Sequence, residues 1–164
     1  MPIFFPFNDS HTPGITDKKY DIIYTGHIVS KQILRDIKTS SQFNYRLVSN
    51  STHALVTDRG VGYEEKLSLI SQSKITLVHN LLSPTFRHLR NVWQYPEWQK
   101  NQAFKELPTP CQAARFFTNR SSMLVPQLKS RAFEAAFSRS LILCKKDPFN
   151  VIENFFEEGK EFIY

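Results

Sequence analysis

The stretch VPQLKSRAFEAAFSRSLILCKKDPFNVIENFFEEGKEFIY, residues 125–164, decides the fold of this chain. After a polar loop it predicts a helix over residues 131–139 and a buried strand, Leu141–Cys144. A short acidic helix is predicted over residues 150–159, and a final strand begins at Phe162. A loop, helix and strand that repeat in this order are typical of a parallel α/β sheet.

Strands and helices also alternate upstream of this stretch. Apolar and β-branched runs predict strands, and apolar residues at helical spacing predict the helices between them. The predicted strands are 20–25, 44–49 and 74–78, and the predicted helices are 28–38 and 63–72. Right-handed crossovers then give a Rossmann-like parallel sheet with flanking helices. We predict a proline-rich lead-in, residues 1–19, followed by one Rossmann-like domain, residues 20–164.

Residues 81–124 interrupt this alternation. The segment contains both tryptophans and four prolines, so we interpret it as an irregular or helical insertion in the domain. Residues 83–131 also carry eight Lys or Arg against two Glu, which accounts for the whole net charge of +6. Such a segment can attract phosphates, anionic lipid or nucleic acid. Aromatic residues between prolines are more typical of a small core than of base stacking, so nucleic acid is the less favoured partner.

Length and composition narrow the class of protein. A chain of 164 residues with 41% hydrophobic residues predicts one folded domain. No apolar run approaches the roughly 18 residues of a transmembrane helix, and the first ten residues do not resemble a signal peptide. The two cysteines, Cys111 and Cys144, form no disulfide or metal pattern, so reduced thiols are expected. We predict a cytoplasmic location, with peripheral attachment to a membrane left open.

Several well-known sites have no signature in the sequence. There is no GxGxxG fingerprint, no phosphate-binding P-loop and no GxSxG nucleophile motif. The five histidines show no metal-ligand spacing. We therefore predict neither a metal nor a bound cofactor.

Polar residues follow two of the predicted strands directly. Gly26 and His27 come after the first strand, and His79 and Asn80 come after the third. Ligands of open α/β sheets bind outside the carboxyl ends of the strands, so these positions are candidate ligand contacts. Gly26 would let a phosphate approach the backbone at a helix N-terminus, or it simply turns the chain. The same alternative, a plain surface turn, holds for the other three.

The residues at the start of the helix at 131–139 suggest an anion site. Lys129 and Arg131 supply cations, and Ser130 is the predicted N-cap. Together with free backbone N–H groups they could bind a phosphate, or they form an ordinary capped helix start. Glu134 lies among alanines in the first turns, where it could face a ligand or favour the helix dipole.

The motif KSRAFEAA, residues 129–136, and the ending FFEEGKEFIY, residues 155–164, resemble a known family. They are similar to the C-terminal donor-binding domain of nucleotide-sugar glycosyltransferases with the GT-B architecture. The closest kind is the glycosyl transferase family 1 group that includes spore-maturation-like proteins. YDIIYTG, residues 20–26, and residues 63–77 are similar to the opening and the middle of that domain. The resemblance covers most of residues 20–80 and 125–164.

The resemblance implies a function and a set of contacts. Glu134 would hold the ribose hydroxyls of a nucleotide-diphosphate sugar, and Glu153 would lie near its sugar-phosphate side. Lys129, Ser130 and Arg131 would contact the diphosphate, and no metal would be needed. An N-terminal acceptor-binding domain, which is missing from this chain, would complete the enzyme. The alternative is a non-catalytic nucleotide-binding or interaction module that is a remnant of such an enzyme.

Three positions depart from the family pattern. Pro126 stands where retaining members often carry a first glutamate, and Arg139 replaces a glycine that many members have after the helix. The chain also stops at Tyr164, where the last strand has just begun, so we expect a donor-domain fragment or a remnant.

Overall fold

The computed structural model describes residues 13–14, 16–28, 31–82, 125–126, 128–147 and 149–164. The chain divides into two compact units. The first comprises Met1–His79 and Lys129–Tyr164, and the second comprises Asn80–Leu128. The predicted insertion falls in the second unit, and most of it lies outside the described residues.

The described part of the chain contains seven strands and three α-helices. The strands are β1 (Tyr20–Thr25), β2 (Tyr45–Val48), β3 (Ser73–Val78), β4 (Leu81–Leu82), β5 (Val125–Pro126), β6 (Leu141–Cys144) and β7 (Phe162–Ile163). The helices are α1 (Lys31–Ser40), α2 (Tyr63–Ser71) and α3 (Ser130–Phe137), with a 3-10 helix at Val151–Asn154. In the second unit, β4 and β5 form an antiparallel pair.

The first unit is built on a five-stranded sheet in the order β2-β1-β3-β6-β7. All of its strand pairs are parallel, which confirms the predicted α/β, Rossmann-like class. Without the two strands of the second unit, the order is the 2-1-3-4-5 arrangement of doubly wound sheets. Four consecutive buried residues at the end of β1 explain its central place, because strands of parallel sheets are covered on both faces.

The two faces of the sheet carry different helices. On one face, Ile33 and Ile37 of α1 pack on β1, β2 and β3 in a cluster with Tyr24 and Leu77. On the other face, α2, α3 and the 3-10 helix pack in a cluster that includes Ile23, Val78, Ile142 and Phe162. The helix that follows β1 is α1, and the helix that follows β3 within this unit is α3. These two helices therefore lie on opposite faces of the sheet. The carboxyl ends of β1 and β3 flank the topological switch point, where ligands of such sheets bind.

The sequence of α3 explains why this helix packs closely on the sheet. Ala132 and Ala135 are fully buried, and their small side chains let the helix backbone approach the strands. The helix begins at Ser130, and Lys129 is its N-cap residue, without a side-chain capping hydrogen bond. The prediction that Ser130 caps the helix is therefore wrong by one position, because the N-cap conformation falls on Lys129.

The predicted acidic helix over residues 150–159 is also wrong in extent. Only one turn forms, the 3-10 helix Val151–Asn154, and the chain then turns toward β7. The backbone N–H of Gly159 donates to the carbonyl of Phe162, and Gly159 has a φ of +81°. The acidic residues before Gly159 form this turn rather than further helical turns. Among the described residues, no helix is both long and apolar enough to cross a membrane.

Candidate functional site

The first unit brings several predicted site residues together at the carboxyl ends of β1 and β3. Gly26 directly follows β1 with a φ of +119°, a conformation that side-chain-bearing residues rarely adopt. Its N–H donates to the carbonyl of Val48, so the turn is fixed to the neighbouring strand β2. The glycine is therefore required by the backbone conformation of this edge.

Arg131 occupies the space that Gly26 leaves open. A Cβ added to Gly26 would lie 2.5 Å from Nη2 of Arg131. The guanidinium group also lies over the ring of Tyr24, 4.7 Å from its centroid, in a cation–π contact. The hydroxyl of Tyr24 in turn donates to the carbonyl of His27. Gly26 thus leaves room for the side chain of Arg131.

His79 lies beside this arginine, at the exit of β3. Its ring packs edge-on to Tyr24 with centroids 6.2 Å apart, and it is only 6% exposed. Nε2 of His79 lies 3.4 Å from Oδ2 of Asp36 on α1, and Nζ of Lys145 lies 3.8 Å from the same oxygen. A chain of contacts therefore leads from Arg131 across Tyr24 and His79 to Asp36.

Burial keeps His79 uncharged. The pKa of His79 falls from 6.5 to about 4, because desolvation disfavours the imidazolium. Asp36 acts in the opposite direction, while the charges of Arg131 and Lys145 lower the pKa further. At neutral pH the imidazole is neutral, and the cations of the site are Arg131 and the lysines around it.

Lys129 adds a second cation at the start of α3. Its side chain is half-buried, and its pKa is lowered by burial and then by the charge of Arg131. Ser130 is exposed at the first position of the helix. Nη1 of Arg131 is buried and has no hydrogen-bond partner among the described residues. Because buried donors are nearly always paired, the missing partner of this nitrogen is an exception.

Glu134 lies apart from this cluster. It is 3% exposed, and its Oε1 accepts from Nζ of Lys66 on α2 at 2.9 Å. The ammonium group of Lys66 also lies over the ring of Tyr63, 4.6 Å from its centroid. Burial and the charge of Glu134 raise the pKa of Tyr63. In this arrangement the glutamate joins α2 to α3, which is a structural use of the carboxylate.

Glu153 lies in a third place. It is exposed on the 3-10 helix, and its Oε1 accepts from the hydroxyl of Tyr164 at 2.7 Å. Burial and then this hydrogen bond raise the pKa of Tyr164, whose ring also lies under Nζ of Lys146 at 4.8 Å. In the described part of the chain, neither Glu153 nor Glu134 forms a hydrogen bond or ion pair with Arg131 or His79.

The remaining predicted residues divide between the two units. His27 is exposed beside Gly26, and only its backbone carbonyl takes part in the cluster, through Tyr24. Asn80 is 1% exposed and falls in the second unit. The basic segment, predicted as an alternative nucleic-acid surface, lies mainly in residues 83–124, outside the described residues.

Sequence reasoning missed three members of the cluster, namely Tyr24, Asp36 and Lys145. Only Asp36 could have been suspected from the sequence, because it is an acidic residue directly before Ile37 in the apolar stripe of α1. Tyr24 reads as an ordinary core residue of β1, and Lys145 as the first residue of a turn. Their proximity arises only from the pairing of β1, β3 and β6.

The assembled group suits an anion. Arg131 and Lys129 are cations at a helix start, Gly26 and His79 are neutral, and the carboxylate of Asp36 lies 3.8 Å from the ammonium group of Lys145. Within the described part of the chain, no group of three or more His, Cys, Asp or Glu residues could hold a metal ion. Comparisons with protein-family models, with curated proteins and with solved structures find no match to this chain.

Proposed function

We propose that the first unit binds the diphosphate of a nucleotide sugar at the carboxyl ends of β1 and β3. In this proposal the chain is the donor-binding domain of a metal-independent glycosyltransferase with the GT-B architecture. The observation that carries the proposal is Arg131, held by Tyr24 over Gly26 with Nη1 lacking a partner among the described residues.

Charge supports a phosphate-bearing ligand. Arg131 forms no ion pair with a carboxylate of the described residues. The carboxylate of Asp36 lies 3.4 Å from the neutral ring of His79. A guanidinium group without a carboxylate partner binds phosphate oxygens strongly, through charge-assisted and often bidentate hydrogen bonds. Lys129 lies close enough to Arg131 for their charges to interact, so together they favour two negative charges over one. A diphosphate meets that requirement.

Location supports the same ligand. The switch point of a doubly wound sheet binds nucleotides in its crevice, and α3 directs its N-terminus to this edge. A leaving nucleotide diphosphate gains negative charge during sugar transfer, and fixed cations stabilise that charge without a metal.

Titration calorimetry with UDP, GDP and ADP tests this proposal on the whole chain. We expect at least one of them to bind, and Arg131→Gln to weaken binding by about tenfold to a hundredfold, the loss of a charged hydrogen bond. Arg139→Gln is the matched control, because it makes the same charge change at the exposed far end of α3. Absence of binding at millimolar nucleotide, or equal affinities for Arg131→Gln and the parent, would overturn the proposal.

One observation favours a second candidate, a nucleotide-binding module without transferase activity. Both glutamates assigned by the resemblance are engaged within the chain, Glu134 by Lys66 and Glu153 by Tyr164. Release of free nucleotide from UDP-glucose or GDP-mannose separates the candidates. Binding of nucleotide with no release above the rate in buffer supports the module, and release that Arg131→Gln abolishes supports the enzyme.

A further inference from the structure

We propose that binding of an anion at Arg131 is coupled to the uptake of a proton by His79. The inference rests on the proposed anion site at the carboxyl ends of β1 and β3, and it adds a regulation of that site. Acidification strengthens the binding of the anion, and the bound anion makes His79 more basic. The two effects are reciprocal, because one interaction free energy causes both.

Tyr24 brings the two groups together. The guanidinium group of Arg131 lies over the ring of Tyr24, 4.7 Å from its centroid. The ring of His79 packs edge-on against the same ring, with centroids 6.2 Å apart. Tyr24 and His79 are both nearly fully buried, so a charge on one side of this ring acts on the other side with little screening by solvent.

The charges around His79 oppose one another. Among the described residues, the charged groups that act on its ring are Asp36 of α1, Arg131 of α3 and Lys145 after β6, and the phenol of Tyr24 from β1 packs against it. Asp36 favours the charged imidazolium, whereas the two cations disfavour it. An anion bound at Arg131 would offset one of these cations, so the protonated ring would become more favourable.

An acceptor for the added proton is already in place. Nε2 of His79 lies 3.4 Å from Oδ2 of Asp36, and this nitrogen has no hydrogen-bond partner among the described residues. A proton on Nε2 would face the carboxylate and give a charge-assisted hydrogen bond. The side chain of Asp36 is 23% exposed, so solvent reaches the pair from the side of α1.

Burial sets the pH range of the coupling. Desolvation lowers the pKa of His79 from 6.5 to about 4, so the ring is neutral near pH 7. A dianion about 10 Å away, at an effective dielectric constant of about 40, would raise the midpoint of titration by about one unit. The proton is therefore taken up on the acidic side of neutrality.

An NMR titration of the histidine C–H resonances in the whole chain tests the proposal. The probe is sodium sulfate, which stays a dianion in mild acid, and the reference is sodium chloride at the same ionic strength. The resonance of His79 is identified by its low midpoint and its absence in His79→Gln. We expect sulfate to raise this midpoint by about one unit and to leave that of His53, in the loop after β2, unchanged. Sulfate affinity should rise about threefold from pH 7 to pH 4.5.

Arg131→Gln separates the cause from a general effect of salt. The charge of Arg131 lowers the pKa of His79, so its loss should raise the midpoint in chloride, and sulfate should have no further effect. A sulfate shift as large in Arg131→Gln as in the parent would overturn the coupling. Equal midpoints in sulfate and chloride, while the side-chain N–H resonances of Arg131 respond to sulfate, would also overturn it and leave the proposed function standing. If those resonances do not respond to sulfate, the proposed function fails together with the coupling.

Discussion

Arg131 and Glu134 lie three positions apart on α3, yet their surroundings differ in kind. Glu134 is bound by Lys66 from the neighbouring helix, so its buried charge is neutralised within the chain. Arg131 is held in place by Tyr24 and Gly26, and one of its buried N–H groups has no partner among the described residues. The charge of Glu134 is thus balanced within the chain, whereas we propose that the unfilled hydrogen bond of Arg131 is taken up by a ligand.

The largest expected effect comes from Gly26→Ala. The φ of +119° is unfavourable for alanine, and its Cβ would clash with the guanidinium group of Arg131. We expect the free energy of unfolding to fall by about 3 kcal/mol, measured by urea denaturation. Nucleotide binding should fall as well, because the arginine is displaced.

A double substitution separates the two causes. In Gly26→Ala with Arg131→Gln the steric clash is relieved and only the backbone strain remains. The combined loss of stability should therefore be smaller than the sum of the single losses. Strict additivity would show that Arg131 does not occupy the space over Gly26.

Glu134→Ala tests whether the pair of Glu134 and Lys66 stabilises the fold. Removing one partner of a buried pair leaves the other charge uncompensated, so we expect a loss of about 3 kcal/mol, moderated by the partial exposure of Lys66. Replacing both residues, with Lys66→Met and Glu134→Leu, should restore most of this loss. If Glu134→Ala instead weakens nucleotide binding with an unchanged urea midpoint, the carboxylate belongs to the ligand site.

The pH dependence of stability tests the environment of His79. The unfolded chain protonates this residue with a pKa near 6.5, whereas the native state does so only near pH 4. The stabilising contribution is therefore complete above pH 6.5 and is lost as the pH falls toward 4. Between pH 7 and pH 5 the free energy of unfolding should decrease by about 2 kcal/mol from this group.

Two variants isolate that contribution. His79→Gln should flatten the dependence between pH 7 and pH 5, and His27→Gln, at an exposed position, should leave it unchanged. A dependence that survives His79→Gln would show that other groups cause it.

The smallest effect is expected at the far end of α3. Arg139 follows the helix in the left-handed region, with a φ of 52°. Glycine adopts this conformation without strain, so Arg139→Gly should stabilise the protein by about 1 kcal/mol in thermal or urea unfolding. Asn150→Gly, at a φ of 47°, is the comparison and should give a smaller gain, because asparagine tolerates this region. Equal gains at both positions would contradict this explanation.

Much of the fold could be predicted from the sequence, because local pattern determines it. The bounds of β1 and β6 follow from short apolar runs, and Leu67 and Ile70 of α2 are buried as their spacing predicts. The N-cap of α3 and the acidic helix were wrong because they depend on backbone conformations at Lys129 and in the turn at Gly159.

The site was only partly predictable, because it depends on long-range contacts. The proximity of Gly26, His79 and Arg131 follows from the sequence, because strand ends and helix starts meet at the same edge of a parallel sheet. The pairing of Lys66 with Glu134 joins residues 68 positions apart and has no signal in a single sequence. The resemblance assigns Glu134 to the ligand, whereas in the structure the carboxylate of Glu134 is bound by Lys66.

Chemical-shift mapping by NMR during titration of the nucleotide that binds most tightly shows directly which residues contact it. We expect the largest changes at Gly26, His79 and the side-chain N–H groups of Arg131, with small changes at Lys66. Changes centred on Lys66 and Glu134, or the same changes in Arg131→Gln as in the parent, would contradict this expectation.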